Sequence, residues 1–400
     1  MKISVIAIVY CLVEAGSVYA HPSPPQTWLN CINIAGSYCP LGQGTYSIIG
    51  LQLASGVTIS GTGVSPYSTV LQRKDGMTGF MIYIPATATI SNLTIDGNRY
   101  SFPNEQTGCN TSHGQACGPV GQFGCVHPNL GPHDVHGSAT VNQVYFWNST
   151  DVSLYLTAGT LSNSGIYYSR STGAWVESGT VMLNSFDHNG TAGINLLGSS
   201  QKTVKNNVFS QNRYEVSDGE AGGQVYVNYS AANSSVYDNT IDGYSWQTSS
   251  ANINNCYPPA TPQGPGGIEI EPYSSNTKVH SNSVKRNPWY GVEGHSVNSL
   301  EVSGYLKDIC GSCYPRYIEN NTGGPAGLGN GVSFPQPTGF PFSAGLILDR
   351  VLSRNNGGSA AYIPQGTTGL GWTGNHCLQG GYSIATTLSQ PYPASINTCP

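Results

Sequence analysis

The sequence contains few charged residues. Asp, Glu, Lys and Arg make up 9% of its 400 residues, against roughly a quarter in an ordinary globular protein. Solvent-facing helices need such side chains, so the composition excludes a helical bundle and a coiled coil. With 15 basic residues, 20 acidic residues and a net charge of -5, the chain also lacks the positive surface that nucleic acids require.

Long hydrophobic runs are absent after the amino terminus. Met1-Lys2 is followed by an apolar stretch over residues 3–13 and by Val18-Tyr19-Ala20, a small-residue cleavage pattern. Residues 1–20 are therefore predicted to be a signal peptide. No later segment reaches 18 consecutive apolar residues, so we expect no membrane partner and a secreted protein, extracellular or periplasmic.

Cysteine is present in a pattern that suits export. The sequence has 11 cysteines, and removal of Cys11 with the signal peptide leaves an even number. In an oxidising compartment an even number indicates disulfides. The local clusters are Cys31/Cys39, Cys109/Cys117/Cys125, Cys310/Cys313 and Cys377/Cys399.

A short unit recurs between about residues 130 and 300. It begins with glycine, continues with a few alternating apolar and polar residues, and ends in an Asn-rich turn. The instances begin at Gly165, Gly193, Gly223, Gly267 and Gly291. One such segment cannot bury its apolar face alone, so the units are predicted to stack on one another. Because the alternation has period 2, the stacked segments are short parallel strands.

Asparagines occupy equivalent turns of successive units. Asn207, Asn239 and Asn282 fall at the same point of three units. Asparagine tolerates left-handed backbone angles, and stacked Asn side chains can hydrogen-bond along the stacking axis. The predicted fold class is therefore all-β, a right-handed parallel β-helix (a solenoid) with capping segments and long loops.

This rung pattern, over roughly residues 80–355, resembles the pectin-lyase-like right-handed β-helix superfamily, which includes secreted polysaccharide-active enzymes. The resemblance rests on the rungs and not on a catalytic signature. We expect a single, monomeric domain in residues 21–400. Within it, residues 21–78 are predicted to form an amino-terminal cap, residues 79–355 the rungs, and residues 356–400 a closing segment.

Aligning the units on their inward residues predicts which side chains face outward. The inward residues placed in register are Ile166, Ile194, Val225, Ile268 and Val292. The next position holds Tyr167, Asn195, Tyr226, Glu269 and Glu293, and the position two further on includes Asn228, Glu271 and His295. Three glutamates and one histidine thus fall on two rungs of one wall.

The candidate catalytic residues are Glu269, Glu271, Glu293 and His295. Neighbouring rungs lie about 4.8 Å apart and residues i and i+2 of a strand about 7 Å apart. Carboxylates this close repel one another, so at least one is expected to keep its proton to raised pH. One carboxylic acid and one carboxylate are what glycosidic-bond hydrolysis uses, and these spacings lie near the range for inversion.

Further residues are candidates for substrate binding because they supply aromatic rings, amides or charges near the same wall. They are Tyr226, Asn228, Tyr167, Asn195, Trp289, Tyr290, Asp218, Glu220, Arg213, Asp134 and His136. Asp134 and His136 are predicted to belong to an earlier rung and to occupy the two acidic columns. His133 and His136, three apart on a strand, are expected to point to opposite faces.

The sequence favours a secreted enzyme that hydrolyses a polysaccharide. Two alternatives stay open: a polysaccharide lyase or uronan epimerase, assisted by Ca²⁺ at the acids, and a non-catalytic glycan-binding or adhesion module. The site resembles the polygalacturonase style, with acids on consecutive rungs, but Asn-Thr-Asp, Gly-His-Gly and Arg-Ile-Lys motifs are absent. No cofactor is required by the predicted hydrolysis, and no resident metal is predicted.

Overall fold

The computed structural model describes residues 21–48, 50–75, 79–99, 133–212, 223–243, 266–287, 290–304, 318–319, 321, 330–336, 338–354, 356, 361–373, 377–378 and 382–384. A short helix, α1 (Gln26–Cys31), begins this part of the chain, and Cys31 forms a disulfide with Cys39. A single 3₁₀ turn spans Pro66–Ser68. Within these ranges, no helix has the length and apolar character to cross a membrane.

The remaining regular structure is β-strand. In chain order the strands are β1 (Tyr38–Leu41), β2 (Gly44–Ile48), β3 (Leu51–Gln52), β4 (Thr58–Gly61), β5 (Thr69–Arg73), β6 (Ile82–Asp96), β7 (Val135–Trp147), β8 (Leu154–Ser162), β9 (Gly165–Tyr167), β10 (Ala174–Val176), β11 (Gly179–Met182), β12 (Ser185–Asp187), β13 (Ile194–Leu196), β14 (Lys202–Lys205), β15 (Val208–Ser210), β16 (Gly223–Val227), β17 (Ser234–Tyr237), β18 (Thr240–Asp242), β19 (Gly266–Ile270), β20 (Ser275–His280), β21 (Ser283–Lys285), β22 (Tyr290–Gly294), β23 (Asn298–Ser303), β24 (Ile318–Glu319), β25 (Asn330–Ser333), β26 (Ala344–Asp349), β27 (Leu352–Arg354), β28 (Ala361–Ile363), β29 (Gly371–Thr373), β30 (Cys377–Leu378) and β31 (Tyr382–Ile384).

These strands wind into a right-handed parallel β-helix with three faces, which confirms the predicted fold class. Face I stacks β3, β10, β13, β16, β19, β22, β25, β28 and β31. Face II stacks β1, β4, β11, β14, β17, β20, β23, β26 and β29, and face III stacks β2, β5, β9, β12, β15, β18, β21, β24, β27 and β30. The long strands β6 and β7 contribute to all three faces, and β8 contributes to faces I and II.

The predicted register on face I is largely correct. Ile194 pairs with Val225, Val225 with Ile268, and Ile268 with Val292, and all four side chains are buried. Ile166 was placed in this column incorrectly, because it belongs to β9 on face III. The face I partner of Ile194 is instead Ala174.

Asparagine ladders join successive rungs, as the sequence predicts. At the corner between faces II and III, the Asn207 amide donates to Asn239 Oδ1 at 3.0 Å, and the Asn239 amide donates to Asn282 Oδ1 at 2.9 Å. A second ladder at the corner between faces III and I includes Asn189 and Asn212, 2.7 Å apart. The residues that precede Asn207, Asn239 and Asn282 have left-handed backbone angles; Asn206, for example, has a φ of 56°.

One hydrophobic core fills the space between the three faces, since every second side chain of each strand points inward. The stack extends beyond the limits predicted for the rungs. Strands β1–β5 of the predicted cap already pair in parallel with one another and with β6. Beyond residue 355, β28–β31 continue the three ladders. The reason is that these segments also alternate apolar and polar residues at period 2.

Candidate active site

Strands β19 and β22 bring two glutamates side by side on face I. Glu269 pairs with Glu293 in adjacent rungs, as predicted, because Ile268 and Val292 are held in register inside the core. The strand alternation therefore turns both carboxyl groups to the outer side. Glu269 is only 2% exposed, whereas the side chain of Glu293 is 12% exposed.

Glu271 and His295 lie beside this pair, immediately beyond the ends of the same strands. The backbone N–H of His295 donates to Ile270 O at 2.8 Å, which keeps the His295 column in rung register. His295 Nε2 lies 3.3 Å from Glu293 Oε2 and 3.6 Å from Glu269 Oε1. The imidazole thus bridges the two carboxyl groups. The predicted convergence of the four residues on one wall is what the structure contains.

The pKa of Glu269 is raised to about 8. Burial is the main cause, since a carboxylate loses hydration there, and the charge of Glu271 raises the pKa further. The charge of His295 and a hydrogen bond from Tyr290 act in the opposite direction. This environment therefore favours the protonated form of Glu269.

His295 responds to the same cluster. Burial alone would lower its pKa, but the contact with Glu293 and the charges of Glu293, Glu269 and Glu271 outweigh burial and raise it. Opposite charges at this distance favour the imidazolium. In that form the imidazole limits the repulsion among the three carboxyl groups.

Tyr290 has a different role from the sugar stacking predicted for it. Its ring is 2% exposed, and its hydroxyl donates to Glu269 Oε2. The ring lies across Gly266, where an added Cβ would come within 1.8 Å of Tyr290 Cε2. The absence of a side chain at Gly266 thus lets Tyr290 fold over the strand and fix the orientation of the Glu269 carboxyl.

The amide and aromatic candidates divide between two faces. Tyr226 precedes Glu269 by one rung in the same column, and Asn195 precedes Tyr226. Asn228 follows on the neighbouring column, where its Oδ1 accepts the N–H of Tyr229. Tyr167, predicted for this column, lies on face III and packs against Trp147.

The histidine-rich segment is shifted by two residues from its predicted alignment. Val135 pairs with Ile82, so His136 takes the Glu269 column, and Asp134 precedes the strand. Asp134 is fully buried against Arg73 Nη2 at 2.7 Å and does not reach the outer wall. Burial raises its pKa to about 6, although Arg73 opposes this.

The expectation that His133 and His136 face opposite sides is wrong. Their rings stack at 5.5 Å with an angle of 17° between the planes. His133 lies before β7 begins, so the strand alternation does not yet apply to it. Four further candidates, Trp289, Arg213, Asp218 and Glu220, lie outside the described residues, as do most of the cysteines in the predicted clusters.

Sequence reasoning missed three residues that share the outer wall. Tyr155 and Trp175 lie in the same column as His136 and Asn195, and Glu177 accepts a hydrogen bond from the Tyr155 hydroxyl. The signal was present in the sequence. Gly173-Ala-Trp-Val repeats the pattern of Gly193-Ile-Asn-Leu at an interval of 20 residues.

Within the described ranges, no group of three or more His, Cys, Asp or Glu side chains is arranged to hold a metal ion. Ca²⁺ at the acids, which belongs to the lyase or epimerase alternative, stays untested.

A family model described as "Right handed beta helix region" matches residues 136–305. The described strands have the fold that this description names, a right-handed parallel β-helix. No curated protein sequence matches that of this β-helix.

Solved structures of similar fold share little sequence with this β-helix. A DFA-IIIase from Arthrobacter chlorophenolicus is 12% identical, with a TM-score of 0.51 over 92% of this chain and 93% of its own. The A-module of the mannuronan C-5 epimerase AlgE4 from Azotobacter vinelandii is 14% identical, with a TM-score of 0.49 over 94% and 97% of the two chains. A GH87 α-1,3-glucanase from Streptomyces thermodiastaticus is 15% identical, with a TM-score of 0.44 over 92% and 70%. At 12% identity the similarity to the DFA-IIIase shows the fold alone.

Proposed function

We propose that this β-helix is a secreted, monomeric, carbohydrate-active enzyme that hydrolyses glycosidic bonds of a polysaccharide. The observation that carries the proposal is the buried Glu269 side by side with Glu293, with His295 in contact with both carboxyl groups. Hydrolysis of a glycoside needs a carboxylic acid to protonate the leaving oxygen and a carboxylate to act as base or nucleophile. The proposal assigns the first role to Glu269 and the second to Glu293.

The two carboxyl groups are close enough to act on one bond. Since His295 Nε2 contacts both, Glu269 Oε1 and Glu293 Oε2 are at most about 7 Å apart. Retaining enzymes typically have their two carboxyl groups about 5 Å apart, and inverting enzymes have them at least roughly 6.5 Å apart. Both separations are possible within the limit set by His295. Anomeric analysis of the first product by NMR will distinguish the two outcomes.

His295 and Glu271 are proposed to position and tune this pair. The His295 imidazole, whose pKa the neighbouring glutamates raise, contacts both carboxyl groups and orients them. Glu271 acts on Glu269 through its charge, which helps Glu269 to keep its proton. Tyr290 holds the Glu269 carboxyl in place through Oε2, leaving Oε1 on the side of His295.

The charge of the cluster supports a neutral polymer as substrate. Glu269, Glu271 and Glu293 surround the position where a sugar would react, and His295 is the one basic side chain that the described residues place in contact with them. A uronate carboxylate would meet like charge there. A lyase or epimerase has to neutralise that carboxylate, so hydrolysis fits the cluster better than elimination.

The first experiment is a polysaccharide panel that contains neutral and uronate polymers, scored for new reducing ends and for ultraviolet absorbance. We expect reducing ends without absorbance, because elimination alone creates a C=C bond. Replacement of Glu269 or Glu293 by Gln is expected to lower kcat at least about 100-fold, the scale of general acid–base catalysis. Glu301→Gln, the same change on face II, is the matched control and should leave turnover unchanged.

Different results would contradict the proposal in recognisable ways. Absorbance that grows with turnover would indicate a lyase. Turnover lost on addition of a chelator and restored by Ca²⁺ would indicate metal-assisted chemistry. Polymer binding without new reducing ends would indicate a glycan-binding module. In that case the Glu269→Gln and Glu293→Gln variants should bind the polymer as tightly as the parent.

A further inference from the structure

Face I continues from the acids toward the amino terminus as an aromatic surface, here called the aromatic platform. It consists of Phe80, Tyr83, His133, His136, Tyr155 and Trp175. Tyr83, His136, Tyr155 and Trp175 occupy one outward column in four successive rungs. The platform is therefore built by the same register that places Glu269 and Glu293.

The rings of the platform contact one another and keep part of their surface open. The Tyr155 ring lies 5.6 Å from the Trp175 ring and 4.7 Å from the His136 ring, both nearly edge to face. The His133 ring lies 5.2 Å from that of Trp175. The His133, His136, Tyr155 and Trp175 side chains are partly exposed, and Tyr83 is 38% exposed. Rings that are exposed on the outside of a solenoid contribute nothing to its core.

Four buried polar atoms within and beside the platform have no hydrogen-bond partner among the described residues. They are Trp175 Nε1, His133 Nδ1, His136 Nδ1 and Asn195 Oδ1. Asn195 is 7% exposed and lies between Trp175 and Tyr226, so its carbonyl is enclosed on the path toward the acids. Buried polar groups in folded proteins are normally hydrogen-bonded. A hydroxyl-rich ligand can satisfy such an atom only where a small rotation of the side chain exposes it.

The distance from the platform to the acids suits a chain molecule. Trp175 precedes Glu269 by three rungs and His136 precedes it by five. At about 4.8 Å a rung these separations are roughly 14 Å and 24 Å. A single sugar at the acids cannot reach Trp175, but a linear polymer lying along face I can contact both.

The charge of the platform favours a neutral ligand. Burial lowers the pKa of His133 to about 4, and burial also lowers the pKa of His136, so both imidazoles are neutral at pH 7. Glu177, which accepts a hydrogen bond from Tyr155, adds negative charge beside them. An anionic sugar chain would find no cation among these groups.

We propose that the aromatic platform is a binding site for pyranose rings of a neutral linear polysaccharide whose reacting bond lies at Glu269 and Glu293. The apolar C–H faces of the sugars pack on Trp175 and Tyr155, and their hydroxyl groups bond to the partly exposed imidazoles of His133 and His136. The inference extends the proposed function, on which it rests, by assigning substrate subsites about three to five rungs from the acids.

The test measures binding separately from turnover. In the Glu293→Gln background, affinity electrophoresis in gels that contain soluble neutral glucans and mannans, alginate or polygalacturonate reports binding without consumption of the polymer. Trp175→Ala is expected to weaken binding of a neutral polymer about tenfold, the effect of losing a well-packed aromatic contact. Trp175→Phe is expected to lose less, and its thermal unfolding shows whether the rung is intact. Trp147→Ala, a tryptophan on face III, should bind like the parent.

Kinetics in the otherwise unmodified enzyme provide the second readout. With a long substrate Trp175→Ala should raise KM and leave kcat unchanged. With oligosaccharides shorter than about 14 Å both constants should match the parent. Unchanged binding and KM in Trp175→Ala and Trp175→Phe would overturn the platform, as would tighter binding of the charged polymers. Loss of kcat on short substrates in Tyr155→Phe would also overturn it, because these residues would then belong to the chemistry.

Failure of the platform and failure of the proposed hydrolysis give different results. If no polymer yields reducing ends but its binding in affinity electrophoresis still depends on Trp175, the hydrolase assignment is wrong and the binding site is supported. If reducing ends depend on Glu269 and Glu293 while Trp175 has no effect on KM or binding, the hydrolase stands and the platform falls.

Discussion

Glu269 is subject to opposing influences from its neighbours. Burial and the charge of Glu271 raise the pKa of its carboxyl group, whereas His295 and the Tyr290 hydroxyl lower it. Each neighbour is a separate side chain, so each contribution can be removed by its own substitution. This separation allows the acid role of Glu269 to be tested without replacing Glu269.

Two substitutions are predicted to shift the alkaline limb of the pH profile in opposite directions. If Glu269 is the general acid, kcat/KM falls as pH rises through about 8, because the proton is lost. Glu271→Gln removes a negative charge, so Glu269 ionises more easily and the limb moves to lower pH. Tyr290→Phe removes a donor to the carboxylate, so the limb moves to higher pH.

The measurement is the pH dependence of kcat/KM for both variants and the parent, with Glu301→Gln as the control. Shifts in the same direction, or a limb that moves in neither variant, would show that Glu269 does not set the limb.

The grouping of the acids could be predicted from the sequence, but the role of Tyr290 could not. Glu269 and Glu293 follow inward Ile268 and Val292, so strand alternation alone places them together. Tyr290 stands at the start of its strand, where its side chain folds outward across a rung that has glycine at position 266. That contact depends on the stacking of two rungs, which no local pattern specifies.

At the scale of elements, the Asn side chains at the corners connect one rung to the next. Asn207 is buried, and its Oδ1 accepts bonds from the backbone and side-chain amides of Asn184. Its own amide donates to Val181 O, to Lys205 O and to Asn239 Oδ1. The ladder thus satisfies backbone groups that the turn leaves without strand partners.

Asn207→Ala is predicted to destabilise the protein by about 3 kcal/mol, because it leaves several buried polar groups without partners. The measurement is the urea unfolding midpoint by circular dichroism. Asn298→Ala is the matched control, since the Asn298 side chain is exposed at the end of β23, and it should change stability by less than about 0.5 kcal/mol. Equal, small effects of the two substitutions would show that the ladder does not stabilise the stack.

The strand register was predictable wherever glycine, an inward Ile or Val and the Asn turn recurred together. It failed at Gly165, because this glycine begins a face III strand with the same local pattern as the face I strands. All three faces alternate at period 2, so a single strand does not reveal its face. The interval of 20 residues between Ala174 and Ile194 would have resolved it.

At the scale of the whole molecule, the parallel stack places the acids and the aromatic platform on one continuous face. His136 and Glu269 are far apart in sequence but lie in one column. The sequence predicted the acidic end of this column, and the error at Gly165 hid its aromatic end. Long-range order in a solenoid is the sum of local pairings, so one misplaced rung conceals everything stacked beyond it.

The most direct test of the account is the protonation state of Glu269 itself. Infrared difference spectra between the parent protein and Glu269→Gln isolate the carbonyl stretch of the protonated carboxyl group. The account predicts that this signal is present at about pH 6 and disappears as pH rises through about 8. Absence of the signal at about pH 6 would show that Glu269 is an ordinary carboxylate, and it would contradict the proposed general acid.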